Sequence, residues 1–326
     1  MTTYFPLKKI LKNNEIIIID GLNRVGKLLL GSLICSFNKM EHLEFGDNFE
    51  HLLPAVKLKK IKIDFANAYL NNYLNELIYN KYISRNVNFR PYDRTGVAQG
   101  RDPKIYKKRL KLTEGNQIIS KIKSEQKFLP IVTHQLAVNL DVLKKMNMNF
   151  KIIEIIRNPI DTAYSWFKRG YGVRFGKDQR FFTLLIKKNS KVSPWYNGIS
   201  GYKNLKLNPC DSCVYHVINL VNHSVNQLKK NSLKKNITIT SYEELTNNTL
   251  KELNRISKFI GTKTNKKTIE FMKRENCPNT NQKLELIKLN NKKKFLKKSC
   301  SKKIFNDLIK LQKKYEKNYY GLKMFK

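Results

Sequence analysis

The chain has 326 residues, of which 41% are hydrophobic and 11% aromatic, enough for one large domain with its own core and too much for a wholly disordered chain. Lys plus Arg number 64 against 25 Asp plus Glu, and the formal net charge of +39 favours anionic partners. No run approaches the roughly 18 apolar residues of a membrane span, and residues 1–15 lack the apolar core of a signal peptide.

Only 12 of the cations are Arg, and the other 52 are Lys. They are spread along the chain, with no zinc-finger spacing, basic-zipper heptad or aromatic RNA-binding signature, so no nucleic-acid partner is expected. The five Cys are an odd set that frames no disulfide pattern; with no leader segment, a cytoplasmic protein is expected. Cys210 and Cys213 form a CxxC, but no second pair completes a zinc site, and both fall at the opening of a helix near Pro209.

Ile16–Asp20 is an apolar run ending in an acid, the pattern of a central parallel strand buried on both faces. A glycine turn follows at residues 21–26, then helical spacing of apolar residues over 27–37. Residues 55–82 have helical periodicity. Residues 85–108 are rich in Arg, Gly, Pro and Tyr and read as a long loop. Strands are expected at 129–133, 151–156 and 236–240, with helices at 139–146, 159–169, 211–230 and 249–260, the last stopped by Gly261. The alternation predicts an α/β fold: a three-layer sandwich around a parallel sheet with a P-loop-like strand–turn–helix. We expect one domain over 1–326, with residues 52–128 as a helical and loop insertion and 283–326 as a Lys-rich helical tail.

Gly21-Leu22-Asn23-Arg24-Val25-Gly26-Lys27-Leu28 fits G-x-x-x-x-G-K between a strand and a helix. Glycines there let successive backbone N–H groups curl around phosphate oxygens, and the helix start adds a favourable dipole. Arg24 and Lys27 add cationic donors. Leu28 stands where nucleotide triphosphatases place a magnesium-binding hydroxyl, so the loop suits phosphate but not metal-dependent phosphoryl transfer. No metal is expected.

Arg157-Asn158-Pro159-Ile160-Asp161-Thr162-Ala163-Tyr164-Ser165 follows directly on an apolar strand. Asn158 is placed as N-cap and Pro159 as the first helical residue. Positions 158, 161, 162 and 165 then share a helix face, and Arg157 and Ser165 can converge on one anion.

This segment resembles the 3′-phosphate-binding motif of sulfotransferases, with the Arg-to-Ser spacing intact. Residues 21–29 resemble that family's 5′-phosphosulfate loop, and Tyr242-Glu243-Glu244-Leu245, with Phe259-Ile260-Gly261 after it, resembles its Y-E-D-L…F-L-G segment. The resemblance implies 3′-phosphoadenosine 5′-phosphosulfate (PAPS) as donor. Arg24, Val25, Gly26, Lys27 and Leu28 would surround its 5′-phosphosulfate; Arg157 and Ser165 would hold its 3′-phosphate. Val25, Lys27 and Leu28 depart from the family's hydroxyl-bearing residues, and the family's covering R-K-G loop is absent; lysines at 288–294 are its substitutes.

Two bases compete to take the acceptor proton: His134, which resembles the histidine of small-molecule members, and an acid among Glu44, Asp47 and Glu50, where glycan-modifying members carry Glu. Glu50 is the preferred acid, and Lys27 is the electrophilic partner of either base. A small molecule or a glycan fits as acceptor, with Arg90, Arg94 and Arg101 of the 85–108 loop as a lid. A P-loop kinase-like protein and a non-catalytic polyanion-binding protein are the alternatives.

Overall fold

Four isoleucines and an aspartate, Ile16–Asp20, form β1 with every residue buried. Such a strand tolerates no solvent-facing side, and parallel neighbours cover it on both edges. Ile18 sits opposite Ile131 of β3 (Leu129–Val132) and Ile152 of β4 (Lys151–Ile156). β2 (Glu44–Phe45) extends the sheet beyond β3, and β7 (Ile237–Ser241) extends it beyond β4. The order is β2-β3-β1-β4-β7, all parallel. The computed structural model describes residues 2–188, 190–199, 207–230, 235–279 and 281–322, so the end of the basic tail lies outside the described residues.

From β1 the chain runs through α1 (Lys27–Ile34) toward the β3 side; from β3 it returns through α6 (Leu140–Lys145) across β1 to β4. Right-handed crossovers in opposite directions put these helices on opposite faces. Around α1 pack α10 (Thr249–Ile260) and α11 (Lys266–Arg274). With α6 pack α7 (Pro159–Lys168), α8 (Pro209–Lys230) and the tail helices α12 (Gln282–Ser299) and α13 (Lys302–Asn318), joined through α7 and α8. The result is an α/β fold of helices, parallel sheet, helices. The reversal of direction around β1 opens a crevice at the carboxyl ends of β1, β3 and β4, where open α/β sheets bind ligands.

The ends of the key helices follow the sequence signals. Asn158 caps α7 by accepting the Ile160 N–H at 3.0 Å, with Pro159 at the first helical position. Gly261 ends α10 in the left-handed region at φ 85°. Most expected boundaries lie within two residues of those found; two helices differ by more. The periodicity over 55–82 is two helices, α2 (Asp47–Lys57) and α3 (Ile63–Tyr82), because four lysines among residues 57–62 interrupt the apolar face and Lys59 turns left-handed. The first helix stops at Ile34 rather than at 37, where the Ser36 hydroxyl bonds back to the Leu33 carbonyl at 2.6 Å.

Between α3 and β3 lie α4 (Pro103–Arg109), which takes over the end of the 85–108 stretch expected as a loop, and α5 (Asn116–Glu125). This region is anchored by the buried guanidinium of Arg109, which grips both oxygens of Glu41 at 2.7 and 2.9 Å and lies 4.1 Å from the Tyr82 ring centroid. Arg94 pairs with Glu275 at 2.9 Å, and Arg101 donates to the Phe37 carbonyl at 2.7 Å. Both arginines therefore tie the 85–108 loop to the α1–α11 side. A two-stranded hairpin, β5 (Leu185–Lys188) and β6 (Lys191–Pro194), leads into Trp195. No helix among the described residues is long and apolar enough to cross a membrane.

Candidate active site

The glycine turn between β1 and α1 is held open from several sides. Gly26 has φ 104°, and a Cβ there would stand 2.5 Å from a ring carbon of Tyr242, so the position is closed to other residues by both backbone and neighbour. Arg24 is also left-handed, at φ 72°. Trp166 of α7 donates its indole N–H to the Asn23 carbonyl at 2.8 Å. The strain at Arg24 is therefore held by contacts from another element, as is usual at binding loops. The first amides of α1 have no partner within their own helix and face the turn.

The two anion-binding motifs read from sequence meet here. Arg24 Nε donates to Ser165 Oγ at 3.1 Å, and Arg157 Nη1 donates to the Arg24 carbonyl at 3.2 Å. The Arg157 guanidinium lies 4.1 Å from the Tyr242 ring centroid. Its nearest carboxylate oxygen, on Asp161, is 4.0 Å away and is already held by Lys292 of α12. Its buried Nε meets no acceptor among the described residues. Arg157 thus reaches the turn with hydrogen-bonding capacity to spare. Burial, then the nearby charge of Arg169, pulls the Arg24 guanidinium below its ordinary range, so cations crowd this corner.

Lys27 is nearly fully buried. Its ammonium donates to the Gly21 and Leu22 carbonyls at 2.8 and 2.6 Å and so sits inside the turn. Burial lowers its pKa to about 8 despite Asp20, Glu50 and Glu154 nearby. Asp20 ends β1 opposite Glu154 of β4. It accepts the Thr133 hydroxyl at 3.0 Å and the Ala137 N–H at 2.7 Å. Burial raises the pKa of both acids, and the Asp20 charge raises Glu154 further. Val25 is core, and Leu28 is a partly buried apolar residue packed against it.

The two competing bases touch. His134 follows β3, Glu50 lies on α2, and His134 Nδ1 is 2.7 Å from Glu50 Oε1. With Nδ1–H donating to the carboxylate, Nε2 is left to accept a proton. Both line a cavity of about 390 Å³ that Asn23 joins to the glycine turn. Asp47 shares the cavity, and burial followed by the charge of Glu50 raises its carboxyl. Glu44 is turned away and paired with buried Lys81.

Residues missed in the sequence cover this cavity: Tyr171, Arg174, Arg180 and Phe181–Leu184, with Trp195 behind them. Tyr171 stacks on Trp166 with centroids 4.9 Å apart and accepts from Asn23 Nδ2 at 3.1 Å. Arg174 and Arg180 share Asp178. Their only sequence signal was a cluster of aromatic and Arg residues after α7. Tyr242 was equally hidden, inside the Y-E-D-L-like segment, to which no site residue was assigned.

The sequence profile of the sulfotransferase domain family matches residues 17–325. Among solved structures the chain is similar to the sulfotransferase domain of the curacin biosynthetic pathway, with 15% identity over 82% of this chain and 78% of that one and a TM-score of 0.42. A second is the sulfotransferase domain of the Synechococcus PCC 7002 olefin synthase, with 14% identity over 82% and 80% and a TM-score of 0.41. A third is mouse sulfotransferase SULT7A1 complexed with PAP, with 16% identity over 83% and 65% and a TM-score of 0.35. No curated protein matches the chain. The profile spans nearly the whole chain, both cradles included, and the chain belongs to the sulfotransferase family, an enzyme family of sulfuryl transfer.

Proposed function

We propose that this enzyme moves a sulfuryl group from PAPS to a hydroxyl or amine of a small-molecule or glycan acceptor. The observation that carries the reading is the junction of the two cradles: Arg24 of the glycine turn bonded to Ser165, and Arg157 bonded back to Arg24. One ligand with phosphate at two ends fits such a junction, and the buried Nε of Arg157 meets no acceptor among the described residues.

In this reading Lys27, Arg24 and the first amides of α1 hold the 5′-phosphosulfate, and Arg157 and Ser165 the 3′-phosphate. Lys292, bonded to Asp161 beside Arg157, adds charge from the tail. When bound, the donor supplies the sulfuryl group and an anionic nucleotide as leaving group. His134 Nε2 takes the proton of the acceptor oxygen, while Glu50 fixes the ring and stabilises the imidazolium that forms. The sulfuryl oxygens and the leaving phosphate gather negative charge, which the cations at 24 and 27 offset. The five free thiols suit work in the cytoplasm.

Thermal melting tests the donor assignment. 3′-Phosphoadenosine 5′-phosphate (PAP) at 100 times its Kd should stabilise the fold by about 2.7 kcal/mol, or about 4 °C for a chain of this length, without magnesium. Stabilisation by ATP with magnesium and none by PAP would assign the site to a kinase-like protein instead. Transfer of labelled sulfate to an acceptor panel then tests the reaction.

A further inference from the structure

One face of α3 is polar along its length. Positions 69, 72, 73, 76 and 80 carry Tyr, Asn, Tyr, Glu and Asn, while Ala66, Leu70, Leu74 and Ile78 on the opposite face are core. A polar helix face ordinarily looks into solvent. This one does so at Tyr69, Asn72 and Glu76, and with Glu44, Asn48 and residues 85–87 beside it forms an open cavity of about 460 Å³. The segment 44–48 also divides this space from the His134 cavity: Glu44 and Asn48 face the α3 side, and Phe45 and Asp47 face the His134 side. A ligand crossing that segment would occupy both.

Charge separates this cavity from the rest of the molecule. In a chain of net charge +39, its charged lining residues cancel, Glu44 and Glu76 against Lys81 and Arg85. Lys81 is bonded to Glu44, and Arg85 to Glu114. What is left to offer a ligand is amides, rings and the Glu76 carboxylate, an acceptor for hydroxyls. Asn48, Asn72 and Asn86 each present a donor and an acceptor on one group, which matches neighbouring hydroxyls. Tyr69, 43% exposed, offers a ring face to C–H bonds. The Tyr73 hydroxyl, pushed up by burial and then by Glu44, stays a donor and is held by the Phe45 carbonyl at 3.2 Å.

We propose that the α3 cavity binds the non-reacting end of an uncharged oligosaccharide, presented as acceptor to His134 across residues 44–48. The proposal rests on the sulfotransferase reading of the His134 cavity. A sulfated or carboxylated chain is disfavoured, because it would meet Glu44 and Glu76 with no cation free of a carboxylate partner.

The test is binding to the full chain without donor, by calorimetry and saturation-transfer NMR. The probes are cellotetraose, maltotetraose, tetra-N-acetylchitotetraose and a heparin-derived tetrasaccharide, with PAP titrated separately. At least one neutral tetrasaccharide should bind. Tyr69→Ala and Asn72→Ala, both at exposed positions, should each weaken it at least tenfold, while PAP affinity stays within twofold. Melting curves report whether either variant is folded, and Tyr69→Phe should bind as the native chain does. Binding by no neutral probe, tighter binding of the heparin fragment, or neutral binding that both alanine variants leave unchanged would overturn the proposal. If PAP binds and the saccharides do not, only this inference falls. If a saccharide binds in the expected variant-sensitive way and PAP does not bind, the donor reading falls and the cavity stands.

Discussion

Replacing Arg157 by Ala removes the side chain that joins the two cradles. The guanidinium has 18% of its side-chain surface exposed, so solvent screens it only in part. Its bond to the Arg24 carbonyl is long at 3.2 Å, and its carboxylate neighbour stands at 4.0 Å, so the native interactions it loses are modest. Together with the Tyr242 contact they account for about 1–2 kcal/mol of folding stability. A charge-assisted bond to a bound phosphate contributes more, roughly 1.5–3 kcal/mol. The Kd for PAP should therefore rise about 10- to 150-fold. Calorimetry of PAP binding at low salt and without magnesium reads this directly. Arg157→Lys keeps the charge but loses the planar fork and should fall between Ala and the native chain. A variant that melts lower yet binds PAP within twofold of the native chain would refute the reasoning, leaving Arg157 as a structural clamp on the glycine turn.

His134→Ala should lower turnover by about 10²–10⁴-fold with PAP affinity unchanged, and Glu50→Gln should give part of that loss; single-turnover transfer assays separate the two. The Lys27 pKa of about 8 sets the pH dependence of donor binding. The charged form attracts the anion, so PAP affinity, greatest near pH 7 where the phosphates are doubly ionised and Lys27 is charged, should fall by up to tenfold per unit above 8, an alkaline limb that Lys27→Met should abolish. At the Arg109–Glu41 pair, burial alone would raise the Glu41 carboxyl, but the Arg109 guanidinium outweighs it and holds the pKa at about 2. The folded value lies below the unfolded one. The pair's contribution, about 3 kcal/mol, is therefore complete above about pH 4.5 and disappears as pH falls toward 2, which urea midpoints between pH 6 and 2 would reveal. Arg109→Met leaves Glu41 buried without its main partner and should cost about 3–5 kcal/mol in the same assay at pH 7.

The sheet and the boundaries of the two segments that meet at its carboxyl ends were legible because their signals are local. An all-apolar run such as Ile16–Asp20 suits little but a central strand, and Asn158-Pro159 announces a helix start. The pairing of His134 with Glu50 was not legible. Each was named as a rival base, but nothing in a sequence separation of 84 says that β3 and α2 bring them to 2.7 Å. The cover of the cavity was missed for a similar reason: residues 171–184 lie in turns and loop, where side-chain direction follows tertiary contacts rather than periodicity. The Arg-rich loop at 85–108 drew attention by composition, yet Arg94 and Arg101 spend their hydrogen bonds on Glu275 and Phe37. A cation pattern alone does not distinguish a ligand contact from an internal tie.

Tyr242 shows how the parts depend on one another. Its ring lies against Gly26 of the turn on one side and the Arg157 guanidinium on the other, so one aromatic fixes both cradles. It stands directly after β7, and its neighbour Glu243 accepts the Asn158 N–H at 3.0 Å and the hydroxyl of Tyr315 in α13. Burial raises the Glu243 carboxyl, while those two donors work to keep it charged. The edge strand and the basic tail thus both bear on the start of α7, the helix that carries Ser165. A sequence match confined to the glycine turn would leave that geometry undefined. The turn is shaped by β4, β7 and the tail together, all within the residues 17–325 that the family profile matches.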